Sequence, residues 1–98
     1  MKNKYLIYRV ISPSGKSYFG KTNNLILRKK SHILKVKNGS KLPFHNAIRK
    51  YGGNMSWNIF RDNLTEQQAF ELESVLIRQY NTFVPNGYNA TMGGGGVK

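Results

Sequence analysis

The most constraining feature of the sequence is a pair of β-like runs joined by five turn-forming residues, YLIYRVI-SPSGK-SYFGK. A five-residue loop pairs Ile11 with Ser17, and because side chains alternate along a strand, even-numbered residues of both runs then share one face. Tyr8 and Tyr18 would lie diagonally across this pair, within reach of each other. Tyrosine is also a favoured strand residue, so the hairpin alone permits either packing tyrosines or working phenols. We expect strands over residues 5–11 and 17–21 with a loop at 12–16.

Capping signals and periodicity predict three helices and a third strand. Asn23 or Asn24 can cap a first helix, which the Asn-Gly pair at 38–39 ends. Thr65 and Gln68 have the spacing of a capping box for the last helix. We expect helices from Asn23 or Asn24 to about 37, over 43–51 and from Thr65 to about 80, with a strand over 55–60 and a turn at 86–87.

The charge balance points to a polyanionic partner. Sixteen Lys and Arg residues against four acidic residues give 98 residues a net charge of +12. The phosphate backbone of a nucleic acid favours such a charge directly, whereas the simpler alternative is a basic, solvated surface. No segment pairs a basic face with a broad apolar one, and no apolar run is long enough to span a membrane. The absence of cysteine excludes disulfides and zinc–thiolate sites and suits an intracellular setting.

Glu73 is the anomaly of the last predicted helix. It falls on the apolar stripe of that helix, four residues after Ala69 and four before Ile77. A carboxylate on an inward face is costly unless it is paired, hydrogen-bonded or bound to a metal. Two interpretations remain open from the residues: an ion pair with one of the many cations, or a ligand for a hard divalent cation such as Mg²⁺.

The first predicted helix carries a second polar pair. Arg28 and His32 are four residues apart and therefore lie on one face. By themselves they are more typical of a basic face that contacts phosphates than of a catalytic pair. His45 faces away from the apolar side of the second helix, so we expect it to be exposed.

Several short motifs, taken in order, resemble one nuclease family. LIY at 6–8 and YFG at 18–20 are similar to the paired motifs of the GIY-YIG nucleases. Arg28 and His32 follow, then ELESVLI at 71–77 and NGYNAT at 86–91, so the resemblance covers nearly the whole chain. Within that family the sequence is most similar to the catalytic domains of phage and intron homing endonucleases. Leu6 and Phe19 depart from the family's first glycine and its isoleucine, at backbone or packing positions.

The resemblance implies an α/β fold, an α+β sandwich in which a three-stranded antiparallel sheet is flanked by helices. The active site would lie on one concave face of the sheet. We expect residues 1–91 to form the nuclease domain and residues 92–98, which include four glycines, to be a tail or the start of a linker.

The same resemblance implies a DNA endonuclease that hydrolyses phosphodiester bonds with one divalent metal. Glu73 would hold Mg²⁺, with Mn²⁺ as the alternative, and Arg28 would neutralise charge on the phosphate. Tyr8 would assist the attacking water and Tyr18 would orient water or phosphate, with Asn89 in a supporting role near the phosphate. We also expect DNA contacts from a set of basic residues, namely Lys21, Lys29, Lys35, His45 and Arg49.

The identity of the general base stays open between Tyr8 and His32. A free phenol has a pKa of about 10, so Tyr8 can act as a base only if nearby cations lower that pKa or if it passes its proton onward. The strongly basic composition favours the first condition. His32, whose reference pKa is near 6.5, is better placed to accept or relay a proton.

We expect the partner to be double-stranded DNA and the protein to be a monomer in the cytoplasm, phage-encoded within a bacterial host. The competing function is a non-catalytic, basic nucleic-acid-binding module. That alternative accounts for the charge and the aromatic residues but leaves the inward Glu73 unexplained.

Overall fold

The sheet of this protein has three strands in the order β2-β1-β3, all antiparallel. The computed structural model describes residues 3–91, so the predicted tail at 92–98 lies outside the described residues. The elements in chain order are β1 (Tyr5–Ile11), β2 (Ser17–Thr22), α1 (Leu25–Lys37), α2 (Pro43–Tyr51), β3 (Ser56–Leu64) and α3 (Glu66–Gln79), with a short 3₁₀ turn at Gly52–Asn54. The predicted fold class is confirmed.

The register of the β1–β2 hairpin is the predicted one. Ile11 pairs with Ser17, Val10 with Tyr18 and Tyr8 with Gly20. The odd-length loop therefore places Tyr8 and Tyr18 on one face, with their ring centroids 6.1 Å apart. In this register the even-numbered residues of both strands share one face, because side chains alternate along a strand.

The helices begin and end close to where the capping signals indicate. The Asn24 side chain accepts a hydrogen bond from the Leu27 N–H at 3.1 Å, which makes Asn24 the N-cap of α1. Both halves of the predicted capping box are present, because Gln68 N–H donates to Thr65 Oγ1 and Thr65 N–H donates to Gln68 Oε1. These bonds satisfy donors that the first helical turn leaves unpaired.

Strand β3 is longer than predicted, since it continues to Leu64 instead of ending near residue 60. Its second half is polar and includes Asp62 and Asn63, which are turn-forming residues in the sequence. β3 is an edge strand, so polar residues can face solvent there. Asn63 adopts a φ of 59°, which asparagine tolerates better than most residues, close to where the β1–β3 register shifts.

The sheet separates two apolar clusters. On one face Tyr8 and Val10 pack with Phe44, Ala47 and Ile48 of α2. On the other face the cluster is formed by β-strand and α3 residues, namely Ile7, Phe19, Ala69, Leu76 and Ile77. Helices α1 and α2 therefore cover the even-numbered face of the hairpin and α3 covers the odd-numbered face. Within residues 3–91 no helix is both long and apolar enough to cross a membrane.

Candidate active site

A groove of about 220 Å³ lies where α1, α2, β2, α3 and the segment after α3 approach one another. Its lining includes seven of the residues singled out in the sequence: Tyr18, Arg28, His32, Lys35, His45, Glu73 and Asn89. Because β2 is an edge strand, Glu73 from α3 meets Tyr18 and Arg28 at the margin of the sheet. The resemblance implies an active site on one concave face of the sheet, and the groove adds to that face a group from α3, which covers the other face.

Tyr8 lies directly behind this groove. Its side chain has 0% exposure, and its ring is held against β2 because it pairs with Gly20. Any Cβ at position 20 would overlap the Tyr8 ring, so only glycine permits this approach. Of the two paired tyrosines, Tyr18 therefore lines the groove, and Tyr8 contacts it from within the core.

Burial, rather than positive charge, sets the acidity of the two phenols. Burial raises the pKa of Tyr8 well above that of a free phenol, and the neighbouring Tyr18 raises it further, while Arg28 opposes the shift without cancelling it. The pKa of Tyr18 is also raised, again mainly by burial, although Arg28 lowers it. The expectation that nearby cations lower the pKa of Tyr8 is wrong, and the phenol must pass its proton onward to act as a base.

His32 is a hydrogen-bond partner of the Tyr8 hydroxyl. Its side chain is 3% exposed, and its Nε2 lies 2.9 Å from the Tyr8 hydroxyl oxygen. Burial lowers the pKa of His32 to about 3, with the positive charges of Arg28, His45 and Lys35 acting in the same direction. The imidazole is therefore neutral at physiological pH and keeps one nitrogen free to accept a proton.

His45 is buried rather than exposed, contrary to prediction. Only 2% of its surface is accessible, and its Nε2 lies 2.9 Å from His32 Nδ1. The other ring nitrogen, Nδ1, lies 2.6 Å from Ser40 Oγ. A ring enclosed in this way has little free edge for a DNA phosphate, so its predicted role as a DNA contact is not favoured by its position.

Arg28 is placed to serve an anionic ligand. It lines the groove and acts electrostatically on both phenols. Within residues 3–91 its Nε is a buried donor without a hydrogen-bond partner. An unsatisfied buried donor costs free energy, and such a cost is commonly retained at functional sites.

Glu73 lies in the groove wall with its side chain 12% exposed. Lys21 Nζ is 3.7 Å from Glu73 Oε1, so the ion-pair interpretation has a partner in the structure. That pair is long and Lys21 is 28% exposed, which makes it a weak stabilising contact. The carboxylate therefore lies in the groove wall with Lys21 as an ion-pair partner.

The described residues contain no group of three or more His, Asp or Glu side chains that could enclose a metal. Both imidazoles are already within hydrogen-bond distance of other side chains at each ring nitrogen. Glu73 supplies a carboxylate to the groove. One carboxylate fits a hard cation that takes most of its ligands from substrate oxygens and water.

Asn89 fixes the strand that carries Tyr18. Its Oδ1 accepts from Phe19 N–H at 3.0 Å and from Thr82 Oγ1 at 2.8 Å, while its Nδ2 donates to Phe19 O at 2.8 Å. Next to it, Tyr88 N–H donates to Ser17 O at 2.9 Å. Asn89 lines the groove, but its polar atoms are engaged with the protein, so its position indicates a structural rather than a phosphate-binding role.

The other predicted DNA contacts are spread around the groove. Lys35 lines it, whereas Lys29 lies 5.1 Å above the Trp57 ring centroid. Arg49 donates to the carbonyl oxygens of Val36 and Ser40, both at 2.8 Å, and so ties α2 to the end of α1. Among polar residues at or beside the groove, Ser40, Tyr88 and Thr91 were given no role from the sequence, although Tyr88 and Thr91 belong to the motif NGYNAT.

A larger depression, about 650 Å³, lies on α1 and has a different character. It is lined by aliphatic residues and lysines: Ile26, Lys29, Lys30, Ile33, Leu34 and Lys37. These side chains offer no acid–base pair and no carboxylate. We therefore take the smaller groove with Tyr18, Arg28 and Glu73 as the candidate active site.

The low pKa of His32 has a consequence for stability. In the unfolded chain His32 is protonated below its ordinary pKa of 6.5. In the folded protein it is protonated only below about pH 3. We expect the free energy of unfolding to fall by about 2–3 kcal/mol between pH 7.5 and pH 4.5 from this residue. Urea unfolding at both pH values measures the change, and His32→Gln should show a clearly smaller decrease. Equal decreases in the two proteins would contradict the assignment.

Comparison with known proteins identifies the family and the fold. The sequence profile of the GIY-YIG catalytic domain matches residues 4–89. Among solved structures, the catalytic domain of homing endonuclease I-TevI superimposes with a TM-score of 0.76 and 23% sequence identity, covering 90% of this chain and 99% of that one. A glutamate-to-alanine mutant of the catalytic domain of intron endonuclease I-TevI superimposes with a TM-score of 0.74 at 23% identity, covering 93% of this chain and 95% of that one. The curated protein sequences contain no match. Since the family profile covers most of the chain and the fold agrees, this protein belongs to the GIY-YIG family.

Proposed function

We propose that this domain is a DNA endonuclease that hydrolyses phosphodiester bonds with one bound divalent metal. The observation that carries the proposal is the meeting of Arg28, Tyr18 and Glu73 in one groove of a domain whose net charge is +12. A cation, a phenol and a carboxylate are the groups needed to hold a phosphate, contact a water and bind a metal. The basic charge supplies the general attraction to duplex DNA.

The proposal of a homing endonuclease rests on the similarity of this fold to two solved endonuclease domains. The two solved domains are described as parts of a homing and intron endonuclease, and their fold extends over nearly all of the described chain. We propose the same class of activity here, as a monomeric catalytic domain acting on double-stranded DNA.

In this mechanism Arg28 binds a non-bridging phosphate oxygen and stabilises the charge that develops there. Tyr18, which lines the groove, contacts the attacking water, and Tyr8 supports Tyr18 from the core. This order reverses the sequence-based one, in which Tyr8 was next to the water. Asn89 holds Tyr18 in place through its bonds to the Phe19 main chain.

Glu73 would be the protein ligand of the metal, Mg²⁺ by preference with Mn²⁺ as the alternative. Such a cation, when bound, polarises the phosphate and stabilises the leaving oxygen. Lys21, 3.7 Å from the carboxylate, would balance the charge of Glu73 when the site holds no metal.

The second candidate function is a non-catalytic DNA-binding module, and one contact favours it. The ion pair between Lys21 and Glu73 gives the carboxylate a structural partner without any metal. The two candidates differ in whether a divalent cation matters.

Nicking of supercoiled plasmid with Mg²⁺ and with EDTA tests the proposal. We expect Mg²⁺-dependent conversion to open-circle DNA, with DNA binding measured at the same salt concentration because affinity falls steeply with salt. Binding without cleavage under Mg²⁺, Mn²⁺ or any other divalent cation would leave the binding module as the function.

A further inference from the structure

The two histidines of this protein form a continuous path that leads away from the phenols. From the Tyr8 hydroxyl the path runs to His32 Nε2 at 2.9 Å, from His32 Nδ1 to His45 Nε2 at 2.9 Å, and from His45 Nδ1 to Ser40 Oγ at 2.6 Å. Tyr8 is fully buried, both imidazoles are almost so, and Ser40 is half-buried. The path therefore begins in the core beside Tyr18 and ends at a side chain that reaches solvent.

We propose that His45 and Ser40 are the exit of a proton relay that begins at the tyrosine pair, with His32 as the link between them. The inference rests on the proposed nuclease function and goes beyond it, because it assigns a task to two residues outside the set that touches the phosphate. His45 and Ser40 act through His32 and are positioning residues in this scheme.

The proton movement balances at each atom. The attacking water gives a proton to the Tyr18 oxygen as its own oxygen bonds to phosphorus, and Tyr18, whose side chain hydrogen-bonds with that of Tyr8, gives its hydroxyl proton to Tyr8. Tyr8 gives its proton to His32 Nε2 while His32 gives its Nδ1 proton to His45 Nε2. His45 then gives its Nδ1 proton to Ser40 Oγ, and the Ser40 hydroxyl proton leaves to bulk water.

The charges around the path explain why two imidazoles are useful. Burial lowers the pKa of both rings, Arg28 and Lys35 lower it further, and Arg49 also lowers the pKa of His45. An imidazolium is therefore disfavoured at either ring. An imidazole that gains a proton on one nitrogen as it loses one from the other never holds the extra charge. A relay is consequently compatible with a basic environment in which a single protonated histidine is not.

The arrangement of Ser40 suits an exit. Its Oγ accepts a hydrogen bond from the Leu42 N–H at 3.4 Å and lies 2.6 Å from His45 Nδ1. Arg49 also donates to the Ser40 carbonyl oxygen at 2.8 Å and fixes this stretch of main chain at the start of α2. The hydroxyl is thus held on one side by the protein while the residue remains accessible to water.

The relay requires a specific tautomer at each ring. In the resting protein both histidines must carry their proton on Nδ1, because His32 Nε2 has to be free to accept from Tyr8 and His45 Nε2 from His32. A purely structural hydrogen-bond chain works equally well in the opposite direction, with both protons on Nε2. Long-range ¹H–¹⁵N spectra distinguish these cases, and only two histidines need to be assigned, with His45→Gln identifying the signals.

The kinetic test uses single-turnover cleavage at saturating protein. His45→Gln keeps an acceptor for the His32 Nδ1–H, but an amide cannot pass a proton on, so we expect the rate to fall roughly tenfold or more, within the range that acid–base assistance contributes. Ser40→Ala should also slow cleavage, whereas Ser40→Thr should retain the wild-type rate because it restores the hydroxyl. Ser56→Ala on the exposed edge strand is the matched serine control and should behave as wild type. DNA affinity should be unchanged in all four variants.

The outcomes separate the relay from the nuclease function. Nδ1-protonated rings together with slowed cleavage in His45→Gln and Ser40→Ala support the relay. Nε2-protonated rings, or wild-type rates in both variants, overturn the relay and leave the nuclease function intact. A wild type that binds DNA without cleaving it overturns both proposals. If His45→Gln does not fold, the Ser40→Ala and Ser40→Thr pair decides, since Ser40 is not part of the core.

Discussion

Replacing Glu73 by glutamine is expected to remove DNA cleavage while DNA binding survives. The amide keeps the size of the side chain but carries no charge, so as the one protein ligand it binds a divalent cation far more weakly. Loss of the metal's stabilisation of the phosphate, which amounts to several kcal/mol, corresponds to a rate lower by on the order of 10³-fold or more. The substitution removes a negative charge from a protein of net charge +12, so attraction to DNA should not weaken.

The measurement is single-turnover nicking at saturating protein with a titration of Mg²⁺, beside a binding assay at the same salt concentration. Glu71 is the matched control, since it lies on the same helix but is exposed and accepts a hydrogen bond from Gln67 at 2.7 Å. Glu71→Gln should cleave as wild type does. If Glu73→Gln cleaves at the wild-type rate and is only less stable, the ion pair with Lys21 is the role of this carboxylate and the metal assignment is wrong.

The hairpin shows what the sequence was able to predict. The register of β1 and β2 follows from loop length and from the alternation of side chains, both of which are local properties. The position of Glu73 follows from helical periodicity in the same way. The shared sheet face of Tyr8 and Tyr18 and the inward position of Glu73 could therefore be predicted before any tertiary contact was known.

His45 shows where local reasoning fails. On α2 alone it lies away from the apolar side, and periodicity then predicts exposure. In the structure His32 of α1 lies beside it, and the two rings satisfy each other's polar atoms inside the protein. A buried polar pair has no signature in the pattern of either helix, because the partner is thirteen residues away on another element.

The prediction of a lowered pKa for Tyr8 failed for a related reason. The sequence contains sixteen cationic side chains, and counting them suggests a lowered phenol pKa. The shift depends instead on burial, which raises the pKa of Tyr8 more than Arg28 lowers it. Net charge is a property of the chain, whereas desolvation depends on which ring packs against Gly20 and α2.

Replacing Arg28 by alanine is expected to lower the cleavage rate by about 10²–10³-fold, the usual cost of removing one preorganised stabiliser of developing charge. The guanidinium has two effects, because besides contacting the phosphate it lowers the pKa of both Tyr8 and Tyr18. Its loss therefore removes a phosphate contact and makes the phenols harder to deprotonate. DNA affinity should fall only slightly, since one contact among many is lost.

Arg61→Ala provides the matched control, because it removes the same charge from exposed strand β3 at the opposite edge of the sheet. At saturating protein Arg61→Ala should cleave at the wild-type rate. Arg28→Lys should fall between wild type and Arg28→Ala, since an ammonium keeps the charge but lacks the planar fork that matches a phosphate. If Arg28→Ala and Arg61→Ala differ from wild type only in affinity, by similar amounts, then Arg28 belongs to the general basic surface. The unsatisfied Nε of Arg28 would in that case have no catalytic explanation.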